Sequence, residues 1–220
     1  MQLVIVNLSA LAAQLDRSFY MVTLATVGEL AISLYICQGQ LEWHKHIDED
    51  ELFLVHNGVM VLETTRGTVT LHAEELVVVP KGVTHRSTSA LRSVVVLIHP
   101  VGLPQRKNGH RRLYPLESDP PLEKVRLAQV SATLSEAVAS ASIARIEDFE
   151  VILSALAAND YSHTAPSYGA LLWVLRGEIE VHSGFLIRHL KEGELTVIPA
   201  DISYHLRVLQ PSLTLTLERV

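Results

Sequence analysis

The stretch Trp43-His44-Lys45-His46-Ile47-Asp48-Glu49-Asp50-Glu51-Leu52-Phe53-Leu54-Val55-His56-Asn57-Gly58 decides how this chain is read. On an extended strand successive side chains alternate faces, so His44 and His46 project together while Lys45 points away. Residues 47–50 turn the chain, and Glu51 opens an apolar run that closes on Asn57-Gly58, a hairpin signal. Glu51 is therefore expected to share the face of the two histidines. A second stretch, Pro80-Lys81-Gly82-Val83-Thr84-His85, brings a stiff proline, a permissive glycine and a further donor from a separate hairpin. Three imidazoles and one carboxylate suit a divalent transition ion such as iron, manganese, nickel, copper or zinc, and suit calcium or magnesium poorly. One such ion per chain, held by His44, His46, Glu51 and His85, is the expectation, and the donor set does not choose among the metals.

Outward from these motifs, short runs separated by glycine turns read as strands: Leu30 to Cys37, Met60 to Thr64, Thr68 to His72, Leu76 to Val79 and Ser93 to Ile98. That pattern implies an all-β chain folded as an antiparallel barrel or sandwich. One helix is expected over Leu8 to Asp16, with Ser9 as its N-cap. The second half repeats the first at a constant offset, since 177 − 58, 199 − 80 and 163 − 44 all give 119 for Gly177/Gly58, Pro199/Pro80 and His163/His44. A repeat of this length means two copies of one domain rather than a solenoid. The same offset carries His46 to Ala165, Glu51 to Ala170 and His85 to Tyr204, so the second copy is expected to hold no metal. The expected boundaries are 1–100 for the first domain, 101–121 for a proline-rich linker and 122–220 for the second domain. The linker's cluster Arg106, Lys107, Arg111 and Arg112 reads as a solvated connector.

The quoted residues resemble the cupins. In that family a first motif carries a glycine, an H-x-H pair, then a glutamate and a glycine; His44, His46, Glu51 and Gly58 match, while Gly39 lies one residue too close to His44. A second motif runs from a glycine to P-x-G-x-x-H and then an asparagine; Pro80, Gly82 and His85 match, while Glu74 stands at the first glycine and Ser89 replaces the asparagine. With the internal repeat, the chain resembles a bicupin: two tandem cupin-type barrels, each a double-stranded β-helix or jelly roll. The resemblance implies a metal-dependent enzyme acting on a small oxygenated molecule, most plausibly as a dioxygenase-type oxidoreductase. In it Glu51 is both a ligand and the catalytic group able to take a proton, and Phe53 and Val55 share its parity as candidate pocket walls. Two alternatives stand beside it: a sugar or sugar-phosphate isomerase, and a binding protein without catalysis.

Composition bounds the partners. A net charge of −6 over 220 residues offers phosphate backbones and anionic membranes no attraction, so neither nucleic acid nor membrane is an expected partner. Residues 1–15 lack a basic leader and a long apolar span, so neither signal peptide nor membrane helix is expected, and a cytoplasmic monomer or homodimer is. Lys45, Lys81 and Arg86 flank the donors, but parity turns Lys45 and Arg86 away, which weakens an anionic substrate. Cys37, the single cysteine, excludes an internal disulfide and reads as a small buried hydrophobe.

Overall fold

The computed structural model describes residues 3–102, 120–134 and 138–220. The expected linker and its basic cluster, Arg106, Lys107, Arg111 and Arg112, lie almost wholly outside these residues. In chain order the first half carries β1 (Val6–Asn7), α1 (Leu8–Ala12), β2 (Val22–Val27), β3 (Leu30–Gln40), β4 (Glu51–Asn57), β5 (Val59–Thr64), β6 (Gly67–His72), β7 (Glu75–Val79) and β8 (His85–Pro100). The second half carries β9 (Lys124–Arg126), α2 (Leu127–Thr133), β10 (Val138–Ile146), β11 (Phe149–Leu156), β12 (Asp160–His163), β13 (Ala170–Ser183), β14 (Leu186–Lys191), β15 (Glu194–Ile198) and β16 (Tyr204–Arg219). The offset of 119 survives in three dimensions, because β15 and β16 begin and end 119 residues after β7 and β8.

These strands form two eight-stranded antiparallel sheets. The first runs β2-β3-β8-β4-β7-β9, with the β5–β6 hairpin joined to β8. The second runs β1-β15-β13-β16-β11-β10, with β12 on β16 and β14 on β13. Alternation gives each barrel its interior: Tyr35 and Cys37 of β3, Phe53 and Val55 of β4, Val77 of β7 and Val95 and Leu97 of β8 meet in one apolar cluster. Its counterpart gathers Leu172, Val174, Val181, Leu190 and Leu206, together with Leu3 from the N-terminal stretch. Each such side chain contributes about 1.5–3 kcal/mol on burial, so apolar packing dominates the stability of either barrel. No helix among the described residues is long and apolar enough to cross a membrane.

The glycine turns hold the two copies to one geometry. Gly58 and Gly177 both have φ +91, and in each copy a serine closes the turn by accepting the next N–H, Val59 to Ser93 at 2.9 Å and Glu178 to Ser212 at 3.0 Å. A Cβ at Gly58 would lie 2.4 Å from Ser93 Oγ, and one at Gly177 2.2 Å from Ser212 Oγ. Glu74, the departure noted in the second motif, takes φ +62, where its counterpart Gly193 takes +78.

Three expectations are corrected. The chain divides into compact units at other points than 100 and 122: one gathers Leu127–Val220 with the N-terminal stretch to Leu11 and with Ala25–Gly28, the other Ala12–Leu24 with Glu29–Arg126. The reason is edge pairing, since Val6 of β1 pairs with Leu195 of β15, while Val125 of β9 pairs with Leu76 of β7. The helix stops at Ala12, and its cap is Asn7 rather than Ser9, because Asn7 Oδ1 accepts the Ala10 N–H at 2.9 Å. The last strand of the first barrel is also longer than expected, running without a break from His85 to Pro100.

Candidate metal centre

His44 and His46 lie in an irregular connection rather than a strand, yet the alternation holds: both are buried and Lys45 between them is half-buried. What substitutes for the ladder is one bridge, in which the His44 N–H donates to the His85 carbonyl at 3.0 Å and the His85 N–H to that of His44 at 2.8 Å. The Pro80–Gly82 turn is tied into the same stretch. Gly82 N–H donates to His46 O at 2.6 Å, and Lys81 N–H to Asp50 Oδ1 at 2.8 Å. Glu51, the first residue of β4, stands opposite Val79, the last of β7 before the turn. One turn thus positions Glu51 on one side and His85 on the other.

The four side chains that the sequence singles out are brought together. His44, His46, Glu51 and His85 are between 1% and 5% exposed, and one donor atom from each lies within 4.8 Å of all the others. His46 Nε2 is 3.3 Å and His85 Nε2 2.9 Å from Glu51 Oε2. Backbone carbonyls orient two of the rings: His44 Nδ1 is 2.9 Å from Glu42 O, and His85 Nδ1 is 3.0 Å from Val83 O. A carbonyl only accepts, so Nδ1 carries the proton in each neutral ring and Nε2 presents a lone pair.

That geometry sets an electrostatic problem which a cation solves. Glu51 Oε2 and His85 Nε2 are buried and make no aligned hydrogen bond, although they lie 2.9 Å apart. Two acceptors at that distance repel unless positive charge lies between them. Burial pushes the Glu51 carboxyl up, but when the rings are protonated a hydrogen bond from His85 and the charges of His85, His46 and His44 outweigh it and hold the group below its usual range, so protons then supply the positive charge that a cation supplies to the neutral rings. The donor set fits a divalent transition ion.

An apolar pocket adjoins the cluster. Phe19, Met21, Tyr35, Leu41, Phe53 and Leu97 line it together with His44, His46, Glu51 and Ser87. Phe53 takes the wall position expected for it, whereas Val55 lies deeper, in the core. Phe19 and Met21 escape sequence reasoning, because they precede β2 in an irregular segment, where the Phe19 N–H donates to Ile36 O at 2.8 Å and both side chains pack on the apolar cluster. Arg86 turns away from the donors: its guanidinium lies 4.8 Å over the Trp43 ring and pairs with Glu63.

At the equivalent place in the second barrel, His163 stacks on Tyr204, with ring centroids 4.7 Å apart and planes 4° from parallel. Burial holds the His163 imidazole below its usual range and pushes the Tyr204 phenol up. Ala165 and Ala170 offer no donor.

The Cupin domain family matches residues 35–98. The protein YdbB of Bacillus subtilis (strain 168), uncharacterized, is 32% identical over 89 residues, which are 40% of this chain and 79% of YdbB. A cupin 2 conserved barrel domain protein from Leptotrichia buccalis superposes with a TM-score of 0.76 at 14% identity, over 100% of this chain and 98% of its own. Salicylate 1,2-dioxygenase from Pseudaminobacter salicylatoxidans superposes with a TM-score of 0.79 at 10% identity, over 99% and 84%. An adduct of such an enzyme with gentisate gives 0.78 at 10%, over 99% and 81%. At these identities the structural likeness is one of fold. With the matched domain over the first barrel, a relative 32% identical over most of its own length and a cupin structure spanning the whole chain, this protein belongs to the cupin superfamily as a bicupin.

Proposed function

We propose that His44, His46, Glu51 and His85 bind one divalent transition ion, and that the first barrel is a dioxygenase-type oxidoreductase site for a small oxygenated molecule. The single observation carrying this reading is the pair of buried acceptors, Glu51 Oε2 and His85 Nε2, held 2.9 Å apart beside an apolar pocket. The bound ion would supply Lewis acidity toward substrate oxygens and a redox centre for molecular oxygen. The protein's own part is positional. Glu42 O and Val83 O fix two of the imidazoles, Phe53, Leu97 and Tyr35 keep water from the reacting atoms, and Glu51 takes the proton that a substrate hydroxyl gives up on binding. A dioxygenase among the fold relatives supports the class of reaction.

A sugar-phosphate substrate fits less well, because Arg86 is engaged by Glu63 and Trp43 and faces away from the pocket. The deciding experiment is elemental analysis of the purified protein, followed by oxygen uptake by the ferrous-loaded chain with catechols, diketones and thiols. Uptake with one of these classes, lost in Glu51→Gln, is the expected result. Iron-loaded protein that consumes no oxygen with any of them removes the oxidoreductase reading.

A further inference from the structure

The pocket beside the donors is too small, as it stands, for any substrate larger than water. Its lining side chains leave about 20 Å³ of free space. That is room for about one water, whereas sites that take small organic molecules run to roughly 300 Å³ or more. Where the pocket meets solvent is equally defined. Of the side chains that line it, Phe19, Met21 and Leu41 are half-buried and all the others are buried. Those three residues form its mouth.

Two of the three belong to residues 13–21, which join α1 to β2 outside helix and strand. Ser18 makes one isolated bridge to Ile36, and Phe19 packs its ring beside that of Tyr35, with centroids 6.2 Å apart. Phe19 holds φ +59, a left-handed backbone that a bulky aromatic residue adopts only under strain. Nearer α1, Arg92 Nη2 donates to the Ala12 carbonyl and, at 3.1 Å, to that of Leu15. The facing rim is fixed by contrast, because Leu41 N–H donates to Ser87 O at 3.0 Å and His44 and His85 bridge in both directions. The second copy shows the regular alternative: Val138 to Ser140, equivalent to residues 19–21 by the offset of 119, begin β10 and pair with Leu156 to Ser154 of β11. Only the barrel with the four-donor cluster replaces that strand start by an irregular strap.

We propose that residues 13–21 form a hinged strap that gates the metal site, and that Phe19 and Met21 determine the size of molecule admitted. This rests on the metal-dependent reading above. The structure holds the closed form, in which both side chains fill the mouth. Opening breaks the hydrogen bond from Phe19 to Ile36, lifts the two side chains off the apolar cluster and lets the Phe19 backbone leave its strained conformation, which lowers the cost of the movement. Reclosure over a bound molecule then keeps water from the reacting atoms.

The test uses the full chain loaded with cobalt(II), whose visible absorption changes when a ligand joins the ion, mixed in stopped flow with acetohydroxamate or benzohydroxamate. The two probes share one chelating end and differ in a methyl against a phenyl group. With benzohydroxamate the observed rate is expected to level off at high concentration, where opening of the strap limits entry. The double variant F19A/M21A should remove that plateau and speed entry of benzohydroxamate about tenfold or more, with less effect on acetohydroxamate and none on cobalt content. Arg92→Gln, which leaves the pocket lining intact and frees the strap near α1, should raise the plateau and serves where the double variant does not fold. A benzohydroxamate rate that stays linear in concentration, a plateau that neither variant moves, or cobalt-loaded protein that binds neither probe in any variant overturns this proposal alone. A chain that takes up no cobalt overturns the metal reading and this proposal together.

Discussion

At the scale of single residues, the donors differ from their surroundings in what their loss does. Removing one imidazole leaves a barrel held by its apolar interior but breaks the ligand set, so His46→Ala is expected to lower bound metal at least tenfold after dialysis, with far-UV circular dichroism unchanged. Elemental analysis decides it, and wild-type metal content in the variant argues against these ligands. Cys37 makes a different prediction. Burial pushes its thiol up from 9.0 to about 12, with Ser87 lowering it by less. A raised folded value means a contribution complete below pH 9.0, the unfolded value, and lost as pH rises toward 12. Native protein at pH 8 should thus resist a thiol reagent that labels it at once in guanidinium, and Cys37→Ala should flatten the alkaline loss of stability. Rapid labelling of the native state contradicts the assignment. The donors were legible in the sequence because their spacing follows strand parity and turn chemistry. Phe19 and Met21 of the pocket wall were not, because they reach it from an irregular segment where no alternation marks a face.

Elements show where local pattern suffices and where it does not. Strand runs such as Leu76 to Val79 were readable from alternation and glycine turns, but the cap of α1 depended on which of two good capping residues, Asn7 or Ser9, reached the orphan N–H first. The pairing of β9 was hidden for another reason: it is a three-residue edge strand anchored by charge. Glu75 accepts from Lys124 Nζ at 2.6 Å, from Arg126 Nε at 2.9 Å and from the His72 N–H at 2.9 Å. Burial raises its carboxyl, and these three donors outweigh it and hold the group below its ordinary range. With a depressed folded value, the stabilisation is present above the ordinary carboxylate pKa and fades as pH falls through the folded one. Glu75→Gln should cost about 1–2 kcal/mol, discounted for the half-exposed Arg126, and should remove this part of the acid sensitivity of the denaturation midpoint. A variant with an unaltered midpoint speaks against a latch. The turns give a sharper contrast. Gly58 and Gly67 both have positive φ, +91 and +105, but a Cβ meets Ser93 Oγ at 2.4 Å in the first and nothing within 4 Å in the second. Gly67→Ala should cost about 1–2 kcal/mol for its backbone alone, and Gly58→Ala clearly more, as thermal melts of the two variants will rank.

Across the whole molecule, the duplication was legible because the offset of 119 runs without a gap from His44/His163 to Pro80/Pro199. Which edge each short strand joins was not. Val6 and Val125 are equivalent by that offset, as are Leu195 and Leu76, so a sequence pattern fits either pairing, and the structure pairs β1 with β15 and β9 with β7. The equivalence carries a strong prediction for the second barrel. Its strands place Ala170 at the start of β13 opposite Ile198, as Glu51 starts β4 opposite Val79, and Tyr204 opens β16 as His85 opens β8. What the second barrel lacks is donor chemistry rather than backbone, and His163 Nε2 is already buried there without a partner. The triple variant Ala165→His, Ala170→Glu, Tyr204→His should therefore take up one more equivalent of divalent metal per chain than wild type. Without metal it should be destabilised, since a glutamate at Ala170, a site 1% exposed, has no countercharge, and added zinc should restore the melting temperature. Tyr204→His alone supplies two donors at most and should leave metal content unchanged. If the triple variant binds no additional metal in elemental analysis, the irregular stretch that follows His163 does not take the course that His44 to His46 follow, and the two copies share strands without sharing a site.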